Sequence, residues 1–357
     1  MVIMSELLIR NYKDSNYTIM FDRSTGAFLR VGQTEALPFC NIKTPELLDI
    51  SITNYCERGC EFCYRSSNKN GKHMSLAEYN RLVKEAQQIG VIQIALGGGN
   101  PNQHPDFVDI LEITRNHLII PSYTTNGQGM TDEIYNATKK YCGALAVSWY
   151  PPYVDAINVI NMSNENDIKI NLHFMLNKDT IKNAIVLLRN KSILEKINAI
   201  IFLTYKPIHS SSEICLADNS LFGEFIDEIK EAKFCKIGFD SCMISYLTQI
   251  DEYIKTETID FCEAARFSAF ISEESIMYPC SFMCHMTSIG IDLRKTSIQD
   301  AWINGRIFQQ TREYLNTPCV QKYPIDKCES CEKYHFCHGG CQFFDINKCR
   351  EDHYQNG

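Results

Sequence analysis

Residues 47–65 read LLDISITNYCERGCEFCYR. The first seven, LLDISIT, are rich in β-branched residues and predict a strand. Cys56, Cys60 and Cys63 follow directly, spaced C-x3-C-x2-C. A disulfide uses two thiols, and a tetrahedral zinc site usually has four ligands. Three thiols in one loop therefore leave one coordination position to be filled by something else.

Outward from this stretch the chain alternates. Residues 75–90, SLAEYNRLVKEAQQIG, predict a helix, with Ser75 and Glu78 as a capping box and Gly90 as the stop. Strands are predicted at 91–96, 118–127, 144–150, 167–176, 197–205 and 234–240. Helices are predicted at 104–117, 131–143, 180–196 and 221–233. Such alternation gives a parallel sheet with helices outside, either doubly wound or a complete or partial barrel. The motifs fall at predicted strand ends: Cys56 after the first strand, Gly97 after the second, Thr124-Thr125-Asn126-Gly127 at the third and Ser148 at the fourth. In a barrel that is where active residues gather. Residues 5–32 read as a hairpin turning at Ser24-Thr25-Gly26. After about 241 the alternation stops and cysteines become denser.

Composition narrows the function. The chain has 357 residues, 45% of them hydrophobic, enough for one large core or two smaller ones. Its net charge of −8, from 43 acids and 35 bases, argues against nucleic acid as a partner. No apolar run is long enough to span a bilayer, so no membrane partner is expected. The N-terminus lacks the pattern of a secretory signal, and the expected location is the cytoplasm. There, 17 cysteines are first read as metal or cluster ligands. Five of them, Cys328, Cys331, Cys337, Cys341 and Cys349, form a second dense run. On spacing alone, zinc and iron–sulfur are both open for that run. For the first triad the zinc alternative would recruit His73 and His104.

CERGCEFCY, residues 56–64, resembles the cluster motif of the radical S-adenosylmethionine (SAM) superfamily. The resemblance implies that Cys56, Cys60 and Cys63 hold a [4Fe–4S] cluster whose open iron binds SAM. Reductive cleavage would then yield a 5′-deoxyadenosyl radical that takes a hydrogen atom from the substrate. LGGGNPNQHPDF, residues 96–107, resembles the family's Gly-Gly-Glu-Pro motif, with Gly98 and Gly99 matching and Asn100 in place of the Glu. Asn126 and Ser148 resemble polar positions at the ends of the third and fourth strands that contact SAM. The C-terminal run resembles the SPASM extension, which carries two auxiliary [4Fe–4S] clusters. By that resemblance Cys328, Cys331, Cys337 and Cys349 hold one. Cys341 joins Cys262 and Cys280 at the other, with Cys242 the nearest fourth ligand and Cys284, Cys319 or no fourth cysteine as alternatives. Cys40, Cys142, Cys215, Cys235, Cys284 and Cys319 are otherwise read as core thiols.

The implied fold is α/β: an N-terminal hairpin segment (1–46), a partial (β/α)6 TIM-like barrel (47–240) and a small cysteine-rich SPASM domain (241–357). The implied activity is oxidative crosslinking of side chains in a ribosomally made precursor peptide, with flavodoxin or ferredoxin as electron donor. The alternatives are formylglycine maturation of the anaerobic sulfatase type, or a non-catalytic iron–sulfur or zinc protein. Asp240 and Tyr150 stand at predicted strand ends, but the sequence assigns no catalytic base.

Overall fold

The computed structural model describes residues 7–23, 26–33, 39–208, 220–247, 260–285, 289–317, 331–332, 334–341, 343–344 and 346–347. They form two sheets. The first is antiparallel and three-stranded: β1 (Leu7–Tyr12), β2 (Tyr17–Asp22) and β3 (Phe28–Gly32), in that order. The predicted hairpin is thus a meander. Its first run breaks at Asn16, whose left-handed backbone (φ 56°) lets β1 fold back on β2. Asparagine tolerates this conformation better than most residues.

The second sheet has ten strands. Seven are parallel and lie side by side in chain order: β4 (Leu47–Thr53), β5 (Gln93–Gly98), β6 (Ile120–Thr125), β7 (Ala144–Ser148), β8 (Ile170–Leu176), β9 (Ala199–Thr204) and β10 (Lys236–Phe239). A doubly wound sheet would reverse direction at a switch point. This order does not, so the wall is that of an open, partial barrel. At the β4 edge the sheet continues beyond residue 240. There β11 (Ser268–Ile271) pairs parallel with β4, followed by antiparallel β12 (Ile276–Tyr278) and β13 (Ile291–Asp292).

The helices pack on one face of this wall: α1 (Leu76–Ile89), α2 (Phe107–Asn116), α3 (Asp132–Tyr141), α4 (Val154–Glu165), α5 (Ile181–Leu188), α6 (Lys191–Leu194) and α7 (Phe222–Glu231). Alternate strand residues meet them. Leu48, Ile50, Ile52, Ile94, Leu145 and Leu172 are fully buried in that layer. Each contributes about 1.5–3 kcal/mol by leaving water. The opposite face of the same strands points inward (period two) and carries Asp49, Ala95, Gly97, Ser122, Thr124, Ser148 and His173, all with accessible surface. Small and polar residues therefore line an open lumen.

Helix α4 is not legible in the sequence. Asn158, Asn161 and Asn164 and the β-branched Ile157, Val159 and Ile160 are poor helix formers. Burial of Ala156, Val159, Ile160 and Ser163 along one face overrides that preference. The predicted helix at 180–196 is two helices, because Asn190 leaves helical geometry and its side chain caps α6 through the Ile193 N–H. Ser75 caps α1 as expected, by accepting from the Glu78 N–H. Glu78, however, accepts from Ser275 at 2.6 Å and from Arg81, and so ties α1 to the β11–β12 turn.

The C-terminal third adds α8 (Ile244–Leu247), α9 (Ile298–Asn304), α10 (Arg306–Asn316) and α11 (Tyr334–Cys337). Trp302 of α9 is fully buried and donates to the Asn41 carbonyl at 2.9 Å. Arg30 of β3 ties the N-terminal sheet to the segment before β4 and to the segment before β11. It pairs with Glu46 at 2.9 Å, Asp260 at 3.2 Å and Glu263 at 2.9 Å, with its guanidinium over the Phe267 ring. Among the described residues no helix is long and apolar enough to cross a membrane.

Candidate functional site

The three cysteines of the first loop follow the C-terminal end of β4. Cys56 is buried, and Cys60 and Cys63 are partly exposed. The Cys56 N–H donates to Asn68 at 3.1 Å and the Cys63 N–H to Cys60 at 3.1 Å, which folds the loop on itself. Burial raises the Cys60 thiol, and Cys56 and Cys63 raise it further, so the three sulfurs share one neighbourhood. The Tyr150 hydroxyl bonds to Cys60 and opposes that rise. An ion pair between Arg58 and Asp155 and an edge contact between Phe62 and Tyr150 at 5.4 Å brace the loop against α4 and the segment before it.

The glycines after β5 are set by close backbone approach. Gly98 has φ of 112°, and a Cβ there would sit 2.0 Å from the Thr53 carbonyl oxygen. A Cβ on Gly99 would sit 2.0 Å from the Tyr55 oxygen. No side chain fits at either position. The Gly99 N–H donates to Thr53 at 2.7 Å and the Asn100 N–H to Tyr55 at 2.9 Å, so this strip is bonded to the segment leading into Cys56.

Asn100 is almost fully buried, and its amide is engaged on both sides. Its Oδ1 accepts from the Asn126 N–H at 3.0 Å and from Thr125 at 3.2 Å, and its Nδ2 donates to Gln128 at 2.9 Å. An amide can do both, whereas an ionised carboxylate only accepts. Asn126 in turn donates from Nδ2 to the Cys56 sulfur at 3.4 Å. Ser148 closes β7, in register with His173 of β8. Burial lowers the His173 imidazole to about 4, against the pull of Asp240, so at neutral pH it is uncharged.

A second set of thiols comes from four separate places: Cys242 after β10, Cys262 before β11, Cys280 after β12 and Cys341 after α11. Cys242 hydrogen-bonds to Cys341, which raises the first thiol and lowers the second. Cys242 also acts on Cys262 and Cys280, and Cys262 on Cys280 and Cys341. The four thiols therefore lie within electrostatic reach of one another, with Cys242 and Cys341 in direct contact. Asn347 fixes Cys341 by accepting from its N–H at 2.7 Å and donating to its carbonyl at 2.9 Å.

A buried lysine faces this cluster, and it has no motif to announce it in the sequence. Burial works against the Lys206 charge, but Asp240, at 2.6 Å, and then Cys242 hold its pKa above the ordinary value. A buried ammonium beside thiols favours their ionised, ligating form. Asp240 also accepts from Thr204 Oγ1 at 2.8 Å, so it is occupied rather than poised as a base.

Cys284 stands apart, bonded to Arg65, which also pairs with Glu273. Cys40 and Cys142 are both raised by burial. Cys331 and Cys337 are partly exposed, next to and within α11. Cys215, Cys319, Cys328 and Cys349 lie outside the described residues, so most of the C-terminal ligand set falls beyond them.

Among the described residues no three His, Cys, Asp or Glu side chains converge tightly enough for a single metal ion. A zinc site on the triad would need His73 or His104. His104 is used at both nitrogens, by Met74 at 2.7 Å and Asp106 at 3.0 Å, and His73 bonds to Thr53 at 2.9 Å. An all-thiol donor set is the chemistry that an iron–sulfur cube uses, one thiolate to an iron.

Residues 50–203 match the family model of the radical SAM superfamily. That match makes residues 50–203 a radical SAM domain, the domain of a superfamily of enzymes. A probable GTP 3′,8-cyclase of Pyrococcus abyssi is 35% identical over 81 residues, 22% of this chain and 26% of that protein. The chain thus aligns with about a quarter of that relative's length. The mycofactocin maturase MftC of Mycobacterium tuberculosis is 22% identical over 325 residues, covering 84% of this chain and 79% of MftC. The Streptococcus suis protein SuiB, solved with bound S-adenosylmethionine, superposes with a TM-score of 0.72 at 17% identity, covering 96% of this chain and 95% of SuiB. SuiB has also been solved with the precursor peptide SuiA. The radical SAM match spans β4 to β9 and includes the triad, the glycine strip, Asn126 and Ser148.

Proposed function

We propose that this radical SAM protein is a peptide-modifying enzyme that oxidatively crosslinks side chains of a ribosomally made precursor peptide. The observation that carries the reading is the pairing of two thiol sets with a lumen of small and polar residues at the C-terminal end of a partial barrel. The likeness to MftC over 84% of this chain, and the likeness of fold to a protein solved with a precursor peptide, support it.

In this reading Cys56, Cys60 and Cys63 hold a [4Fe–4S] cluster, which when bound supplies the electron that cleaves SAM. The backbone of Gly98 and Gly99, with Asn126 and Ser148, borders the SAM site. Asn126 donates to the Cys56 sulfur and stabilises its ligating thiolate. Cys242, Cys262, Cys280 and Cys341 would hold a second cluster, which when bound would supply a one-electron acceptor. Lys206 neutralises part of its charge. Cys331 and Cys337, with Cys328 and Cys349, hold a third. The lumen takes the target segment of the peptide and excludes water from the radical. The expected electron donor for the first cluster is of the flavodoxin or ferredoxin class.

The test is anaerobic reconstitution followed by incubation with SAM and a strong reductant. The expected result is 5′-deoxyadenosine above the level of a triple Cys56, Cys60 and Cys63 alanine variant, with iron rather than zinc bound. Coexpression with candidate precursor peptides is expected to yield a product lighter by two hydrogens. Zinc in place of iron would end the reading, and an unchanged mass for every candidate peptide would end its peptide part.

A further inference from the structure

The lumen wall carries an ionisable group, besides His173, that neither thiol set uses. Asp49 points inward from β4, flanked in register by Phe270 of β11 and Ala95 of β5. Protein surrounds it, yet it keeps accessible surface. It has no hydrogen-bond or ion-pair partner among the described residues. A Cβ at Gly97 would sit 3.4 Å from Asp49 Oδ1, so the carboxyl borders the glycine strip.

The titratable and charged groups that face it are Tyr64 and Arg65, from the loop after the triad. Ala95, Gly97 and Phe270, from the neighbouring strands, carry no charge. Arg65 is held elsewhere, by Glu273, by Cys284 and over the Phe270 ring at 5.3 Å. Burial pushes the Asp49 carboxyl up to about 7, against the opposing pull of Arg65. An enclosed carboxyl with no donor costs stability, and such groups concentrate where chemistry happens.

We propose that Asp49 is a catalytic residue that contacts the peptide and accepts the proton released when the peptide is oxidised. The proposal rests on the peptide-modifying reading above. A target C–H bond gives its hydrogen atom to the 5′-deoxyadenosyl radical, forming 5′-deoxyadenosine. The substrate carbon radical bonds to a heteroatom or carbon X of a second side chain. The C–X bond forms as the X–H bond breaks. The proton passes to the Asp49 carboxylate and the remaining electron to an oxidised iron–sulfur cluster, so the peptide loses two hydrogens in all.

The test compares reconstituted wild type, Asp49→Asn and Asp49→Glu in two measurements. The first, thermal unfolding from pH 5 to 8, needs no peptide. The folded carboxyl titrates near 7 and the unfolded one at about 3.9. Its contribution to stability is fully present below the unfolded value and is lost as pH rises through the folded one. Wild type therefore loses stability relative to Asp49→Asn across this range, and the variant unfolds about 5 °C higher at pH 8. A gap that does not change with pH would overturn the proposal.

The second measurement is the ratio of crosslinked peptide to 5′-deoxyadenosine, using the precursor peptide that wild type modifies. The ratio falls at least about tenfold in Asp49→Asn, and Asp49→Glu restores part of it with a shifted pH midpoint. A wild-type ratio in Asp49→Asn would also overturn the proposal. A wild type that modifies no peptide fails the functional reading instead, and the unfolding measurement tells the two failures apart.

Discussion

The two thiol sets are built in opposite ways. Cys56, Cys60 and Cys63 come from one loop of eight residues, braced from outside by the glycine strip, Asn126 and Arg58. Cys242, Cys262, Cys280 and Cys341 come from four segments spread over a hundred residues, and only the folded chain unites them. The first is a local motif that the barrel holds in place. The second exists only as a product of tertiary packing, so it is open to damage from anywhere those segments are anchored.

The comparison breaks first at the ligands. Cys56→Ala is expected to reduce 5′-deoxyadenosine to background and remove about four irons per chain. Cys280→Ala is expected to remove a similar amount of iron, and to lose peptide product more than 5′-deoxyadenosine. Equal loss of both products in the two variants would mean that the sets are not separate sites.

A sharper test acts at a distance. Arg30→Ala leaves Glu46 buried without its cation, and we expect a loss of about 3–5 kcal/mol in denaturant unfolding. Because Asp260 and Glu263 flank Cys262, iron should fall at the assembled site and not at the triad. Gly99→Ala does the reverse. Its Cβ collides with the Tyr55 carbonyl, and we expect a cost of about 2–3 kcal/mol, with weakened SAM binding by calorimetry. The smallest effect belongs to Asn126→Ala, which removes one donor from the Cys56 sulfur. We expect about tenfold slower SAM cleavage with the fold intact by circular dichroism.

The same contrast explains what could be read in the sequence. The triad, the strand before it and most βα units are local signals: thiol spacing, β-branched runs, and Ser75 and Gly90 at the ends of α1. Strand order is not legible in the sequence, because hydrophobic periodicity says nothing about which neighbour a strand chooses. Lys206 and Asp49 carry no motif; each is a lone charge in an apolar stretch, given meaning only by what folds around it. Gly98 and Gly99 stand out in the sequence as a match to a family motif. The structure adds that the chain's own carbonyls at Thr53 and Tyr55 already require them.

The Arg30 clasp bears on the order in which the molecule is made. A ribosome has completed the triad, the glycine strip and Asn126 by residue 126, barely a third of the way along. Arg30 cannot close on Asp260 and Glu263 until those residues have emerged, and Cys341 comes later still. The newborn chain can hold its first three sulfurs ready while its N-terminal strands are still waiting for a distant partner. Synthesis of the protein therefore has a built-in schedule, with the surroundings of the local thiol set complete before the last member of the dispersed set exists.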